Sequence, residues 1–333
     1  MTLPTRKIGD QKVGVIGYGA MNLTWRPKVT NDEQAFKCIR DSIDAGSTFI
    51  NTGEFYGVKP NQTGNLQLLQ RFFEKHPDYA DKCFVSVKGG VNLETLAPDS
   101  SLDALRRSVE NVKRHLGDRK KMDLFECARV DKSVPIEEAM RRLLTLRDEG
   151  HFKYIGLSEV SAETIRRAAK VAPIAAVEVE YSLAALDIEN NGVLDACKEL
   201  NIPIIAYSPV ARGLLTGAIK TKEDIAEGDM RNHLDKFSED NLEHNLKLYY
   251  KIKEIADAKG VTPTQIAIAW LIHAWDGIIP IPGSTRPEGV AEALGAGQLQ
   301  LTDADLDQIR EVLDKTPVKG LRYNQHLQAT LEG

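Results

Sequence analysis

Eight short apolar runs punctuate the chain, and between them apolar residues recur every three or four positions. The runs are VGVIGYG (13–19), STFINTG (47–53), CFVSVKGG (83–90), MDLFECA (122–128), KYIGLS (153–158), IAAVEVEYS (174–182), IPIIAYS (202–208) and GIIPIPG (277–283). Their length, their β-branched content and the turn residues that bound them predict strands. The intervening periodicity predicts helices over 31–45, 64–75, 101–116, 135–150, 162–171, 192–200, 242–259 and 263–275, with two more from 287 and 302. The first helix opens on a capping box, with Thr30 at the N-cap and Glu33 three residues on. Gly46, Gly117 and Gly150 mark helix ends, and Pro135 sits in the first turn of another helix. A long polar stretch, 209–240, carries no clear element.

Strict alternation of strand and helix demands a parallel sheet. Eight such units in a chain of 333 residues suit a closed α/β structure, the (β/α)8 TIM barrel. Ahead of the first barrel strand, RKIGDQKVGV (6–15) reads as a small β-hairpin turning at Gly9-Asp10. No linker rich in Pro, Ser or Gly interrupts the pattern, so one domain over 1–333 is expected.

Gly17 and Gly19 imitate the first two glycines of a dinucleotide-binding fingerprint. The third position is Asn22, and Trp25 and Pro27 stand where a phosphate-binding helix should already run. The fingerprint is therefore rejected. At the top of a barrel strand, a glycine admits either a ligand or a neighbouring backbone, and both readings are open at this point.

Composition narrows the function. Lys and Arg number 43 against 48 acids, with no basic run, which argues against nucleic acid as a partner. The four cysteines, Cys38, Cys83, Cys127 and Cys197, are scattered without a C-x-x-C, as expected of reduced thiols in a cytoplasmic setting. The seven histidines form no H-E-x-x-H and no Cys/His cluster, so no metal is expected. No apolar run reaches the length of a membrane span, and the first ten residues have no apolar signal core.

In a barrel of this kind, chemistry sits at the C-terminal ends of the strands. Tyr56 follows the second strand in GEFYG, and Lys88 ends the third. A phenol titrates near 10, and a lysine ammonium close by favours the phenolate and lowers that value. Such a couple can protonate an alkoxide as hydride reaches a carbonyl carbon. A packing tyrosine and a solvated lysine are the alternative reading of the spacing.

The segments FINTGEFYG, FVSVKGG, KYIGLSE, VEVEYSL, IIAYSPVARGLLTG and IPIPGSTRPEGVAEAL follow one another along nearly the whole chain. In that order they resemble the aldo-keto reductase superfamily, and GEFYG and ECARVD look most like its fungal pyridoxal reductase branch. The resemblance implies a (β/α)8 barrel that uses NADPH/NADP+. It implies Tyr56 as proton donor and Lys88 as the group that tunes it. The family's Asp aligns with Asn51 and its His with Ala128, so half of the usual tetrad is replaced. For the cofactor, the resemblance implies Ser158 and Glu178 at the carboxamide, the latter where a Gln is usual. It further implies Tyr207 stacked on the nicotinamide, with Ser208, Gly213 and Leu215 at the pyrophosphate. Ser284 and Arg286 fall where the family binds the adenosine 2′-phosphate, and Glu292 at the adenine. Trp25, Ala128 and Arg129 are expected on the substrate side.

The implied activity is NADPH-dependent reduction of a small aldehyde, pyridoxal foremost, with other aromatic or aliphatic aldehydes and a nucleotide-bound regulatory subunit as the alternatives. The implied partner is that small molecule, and the oligomeric state stays open. Side chains alternate along a strand. If Ala128 faces inward as the family's His does, Glu126 also points into the barrel, one layer deeper. There it would pair with Lys88, or else bond other polar groups, water or Arg129.

Overall fold

The computed structural model describes residues 2–323 and 331. Strands β1 (Thr5–Ile8) and β2 (Gln11–Gly14) form the antiparallel hairpin expected at the N-terminus. It turns at Gly9, whose φ of +59° favours glycine. The chain then runs β3 (Tyr18–Gly19), α1 (Asp32–Asp44), β4 (Phe49–Gly53), α2 (Gly64–Lys75), β5 (Phe84–Gly89), α3 (Leu102–Leu116), β6 (Leu124–Cys127) and α4 (Ile136–Asp148). It continues β7 (Tyr154–Ser158), α5 (Ala162–Ala169), β8 (Ala176–Glu180), α6 (Asp187–Asn190), α7 (Val193–Glu199) and β9 (Ile204–Tyr207). Helices α8 (Glu239–Lys259) and α9 (Pro263–Ala274), strand β10 (Ile278–Pro280), and helices α10 (Pro287–Gly295) and α11 (Asp303–Lys315) complete it.

The strands from β3 to β10 are all parallel and lie in chain order. Backbone hydrogen bonds from Gly17 N to Pro280 O (2.9 Å) and from Gly19 N to Pro282 O (3.1 Å) join the first strand region to the last. The sheet therefore closes on itself as a (β/α)8 barrel. The two glycines are explained by this seam. A β-carbon at Gly17 would stand 2.6 Å from the Phe49 ring, and one at Gly19 2.8 Å from the Ile281 carbonyl oxygen. What comes close to them is the barrel's own wall.

Period-2 alternation then layers the interior. Phe49, Phe84, Leu124, Ile205 and Ile279 fill the base, with Ile8 and Val13 of the hairpin packed beneath. Further along the inward strand faces stand Asn51, Lys88, Glu126 and Glu178, all buried. The base is apolar and the next layer is ionic.

Four local expectations are corrected. The N-cap of α1 is Asn31, whose side chain accepts from Gln34 N at 3.0 Å, because Thr30 N is held by Leu23 O in the preceding loop. Pro135 is the cap residue of α4 rather than part of its first turn. The run 13–19 is not one strand: Gln11–Gly14 belongs to the hairpin, and pairing with β4 begins only at Tyr18. A β-carbon at Gly14 would lie 2.2 Å from Gly46 O, so the chain passes hard against the end of α1 there. Helix α8 begins at Glu239, three positions before the first apolar residue of its pattern, Leu242.

Candidate active site

Tyr56 reaches the barrel mouth from the loop after β4. Gly53 ends that strand, and a β-carbon there would stand 3.0 Å from the Tyr56 ring, so the glycine lets the ring fold back over the strand end. Tyr56 O accepts from Thr24 Oγ1 at 2.7 Å and from Asn65 N at 3.1 Å, which fixes the backbone below the ring. Trp25 stacks on Tyr56 with centroids 5.4 Å apart, and Phe55 meets it edge-on at 5.2 Å.

Below the phenol lies a buried ionic cluster. The Lys88 ammonium is 5.6 Å from the centre of the Tyr56 ring. It is 2.6 Å from Glu178 Oε1 and 3.5 Å from Glu126 Oε1, and it donates to Asn51 Oδ1 at 2.8 Å. Asn51 in turn donates from Nδ2 to Glu178 Oε2 at 2.6 Å. The four side chains come from β4, β5, β6 and β8, and none is more than 5% exposed. The expected Lys88–Glu126 pair thus exists within salt-bridge range, yet Glu178 is the nearer partner. Residue 178 has both carboxylate oxygens committed inside the barrel, to Lys88 and Asn51.

The protonation states follow from burial and charge. Burial pushes the Tyr56 phenol up to about 12. Lys88 opposes this, while Glu178 and Glu126 reinforce it. The sequence-based expectation that Lys88 lowers the phenol has the right sign for that one interaction, but desolvation outweighs it. The phenol is therefore a neutral donor at physiological pH. Burial works against the Lys88 ammonium too, but Glu178, Tyr56 and Glu126 together hold its titration above the ordinary lysine range. Glu126 is raised well above the usual carboxylate range by burial and by the Glu178 carboxylate beside it.

The other expected site residues fall into two groups. Ser158, at the end of β7, has a buried Oγ with no hydrogen-bond partner among the described residues. Tyr207, at the end of β9, shares a hydroxyl contact with Tyr323 at 3.1 Å and accepts from Arg322 at 3.2 Å. Ala128 packs with Phe55, Tyr56 and Val91. Arg129 donates to Ala128 O at 2.6 Å, and its charge is felt by Tyr56, Tyr207, Tyr323 and Glu159. These residues surround the barrel mouth.

The second group lies to one side of the mouth. Ser284, Arg286 and Glu292 line one cleft of about 210 Å³ together with Gly17, Tyr18 and Thr216. Ser284 Oγ accepts from Arg286 N at 3.1 Å, and Arg286 itself is exposed. The loop between the two groups, Ser208 to Gly213, has positive φ at Ser208 (+53°), Ala211 (+52°), Arg212 (+55°) and Gly213 (+99°). Such clustered left-handed residues accompany ligand-holding loops. Leu215, just beyond, is fully buried and acts as the loop's apolar anchor.

Sequence reasoning missed a second buried network. Arg322 bonds Glu159 Oε1 at 2.6 Å and Glu180 Oε2 at 3.3 Å, and Arg212 reaches Glu180 at 3.4 Å. Arg212 also lies 4.7 Å over the Tyr323 ring. Burial works to raise the Glu180 carboxyl, but Arg212, Lys236 and Arg322 leave it below the usual range. The network ties the chain after α11 to the tops of β7, β8 and β9. A signal existed in the run AVEVE: Glu178 and Glu180 share one face of a barrel strand, and each buried carboxylate requires a cation.

Residues 15–314 match the model of the aldo/keto reductase family. A Schizosaccharomyces pombe protein named "Probable pyridoxal reductase 2" is 46% identical over 326 residues, which cover 96% of this chain and 97% of the relative. A second protein of that yeast, an aldo-keto reductase whose name carries NADP(+), is 38% identical over 329 residues, covering 97% and 95%. Among solved structures, the glycerol dehydrogenase of Gluconobacter oxydans superposes with a TM-score of 0.83 at 23% identity, over 96% of this chain and 97% of its own. At that identity the likeness is one of fold.

Proposed function

This chain belongs to the aldo/keto reductase family, and from that premise we propose that it reduces an aldehyde to its alcohol with NADPH, pyridoxal being the favoured substrate. One observation carries the reading: a neutral phenol, Tyr56, stands at the barrel mouth directly above a buried ammonium, Lys88. Nucleotide binding alone would call for neither.

The residues present fit the nucleotide. The unpartnered Ser158 Oγ suits a carboxamide, since a buried hydroxyl without a partner costs free energy until one arrives. The cleft with Ser284, Arg286 and Glu292 suits the adenosine end. Arg286 makes no ion pair among the described residues and offers its fork to a 2′-phosphate. When bound there, NADPH supplies the hydride.

The chain's own groups supply the rest. Tyr56 donates its proton to the oxygen of the carbonyl as negative charge develops on it. Lys88 stabilises the phenolate left behind, at a range where a dry site makes the interaction strong. Trp25, Phe55 and Ala128 form an apolar wall beside the phenol, and the small side chain at 128 leaves room for a substituted aromatic ring. The direct experiment is NADPH oxidation by the purified protein with pyridoxal, with aliphatic aldehydes and with no aldehyde. The reading expects pyridoxal-dependent oxidation with pyridoxine as the product. Absence of oxidation with every aldehyde, in protein that still binds NADPH, would overturn it.

A further inference from the structure

Two carboxyl groups face one ammonium in the barrel interior, and their hydrogen bonds decide which of them is charged. Glu178 takes the Lys88 ammonium on Oε1 and the Asn51 amide on Oε2. An ammonium and an amide NH₂ are donors only. Both oxygens of Glu178 therefore accept, which is the state of an ionised carboxylate. Asn51 is oriented by the same pair, its carbonyl toward Lys88 and its NH₂ toward Glu178.

Glu126 is placed differently. Its Oε1 is 3.5 Å from Lys88 Nζ and has no hydrogen-bond partner among the described residues. The groups facing it are Lys88 from β5, Glu178 from β8 and Tyr56 from the loop after β4. From β7 it meets Gly156, in direct register, where a β-carbon would stand 3.1 Å from Glu126 Oε2. The glycine makes the space in which this carboxyl fits, and it brings no charge. A second ionised carboxylate here would be buried beside a like charge, with Lys88, the cation facing it among the described residues, already paired.

We propose that Glu178 is the counter-charge of Lys88, and that Glu126 is kept beside it as a neutral carboxylic acid. Lys88 and Glu178 cancel, so the cluster below Tyr56 carries no net charge. Both glutamates are positioning residues that act through Lys88. This rests on the reading of Tyr56 as proton donor. The elevation of the Glu126 carboxyl above its usual range agrees with it.

The consequence has a sign. Below its own titration Glu126 is neutral and does not oppose phenolate formation at Tyr56. As pH rises and Glu126 ionises, a negative charge appears beside the group that must itself become negative. The reductive turnover therefore falls on the alkaline side as Glu126 ionises.

Infrared difference spectroscopy tests the protonation state without any turnover. The wild-type protein at neutral pH should show the carbonyl stretch of a protonated, buried carboxylic acid that is missing from Glu126→Gln. Glu178→Gln should lose the same band, because Glu126 is then left to pair with Lys88 and ionises. If pyridoxal reduction is confirmed, the alkaline fall in kcat should coincide with loss of the band in the wild type and should be absent in Glu126→Gln. A wild-type protein without the band, or a Glu126→Gln variant that keeps it, overturns the proposal and leaves the reductase reading intact. Should the variants fail to fold, titration of the wild-type band decides alone: a band that persists unchanged across the alkaline fall overturns the coupling.

Discussion

Arg286 stands exposed at the edge of a cleft it shares with Ser284 and Glu292. A charge-assisted hydrogen bond is worth about 1.5–3 kcal/mol. Arg286→Ala should therefore weaken NADPH binding by about 10- to 100-fold while changing NADH little, as read by fluorescence titration. Equal weakening of both would mean that Arg286 does not read the phosphate. Ala128 makes a second residue-scale prediction. It packs against Phe55 and Tyr56, so an imidazole introduced there fills space on the substrate side. Ala128→His should lower kcat/KM for pyridoxal more than for a slim aliphatic aldehyde, and an equal fall for both would remove the steric account. At this scale the sequence was informative about which residues face the barrel mouth and less so about what they touch. Tyr56 and Lys88 were candidates from their places at strand ends, and the family resemblance added Asn51. The nearer partner of Lys88, Glu178, was not legible, because alternation along a strand says which residues face inward and nothing of which strands meet across the barrel. Glu178 and Lys88 lie on β8 and β5, three strands apart in the sheet order.

Strands β6, β7 and β8 act as a unit in holding the carboxyl pair. Gly156 on β7 faces Glu126 in register, and a β-carbon there would also stand 2.7 Å from Leu124 Cδ2. Neither neighbour sits at the free end of a loose chain, since both are packed in the barrel. Overpacking of this kind typically costs about 1–3 kcal/mol. Gly156→Ala should lower the urea midpoint accordingly, and an unchanged midpoint would show that the interior has slack. The helices were legible in extent from their periodicity, but less so at their caps, where the box read at Thr30 and Glu33 gives way to Asn31. Thr262 with Gln265 and Thr302 with Asp305 form capping boxes within four residues. The first strand was the least legible: VGVIGYG looks continuous in sequence, but it divides between a hairpin and a barrel strand. That division is imposed from far along the chain, by Gly46 against Gly14 and by β10 against Gly17 and Gly19.

At the scale of the whole molecule, closure of the barrel is what brings the cleft proposed for the cofactor and the phenol together. The seam between β3 and β10 places Gly17 and Tyr18 in the wall of the cleft that holds Arg286, while β4 to β6 carry the Tyr56–Lys88 side. Strand count and alternation foretold this architecture. They could not foretell that Arg322, 142 residues beyond Glu180, returns to bond it over the barrel mouth. All of these elements converge on one claim, that Tyr56 is the proton donor. The most direct measurement is turnover of Tyr56→Phe with pyridoxal, alongside its dissociation constant for NADPH. Removing a general acid typically lowers rate by about 10²–10⁴, and the nucleotide's other contacts are untouched by the change. The account predicts a fall in kcat of that size with NADPH affinity nearly intact. A loss below about tenfold in a folded variant would contradict the assignment of Tyr56 as the acid.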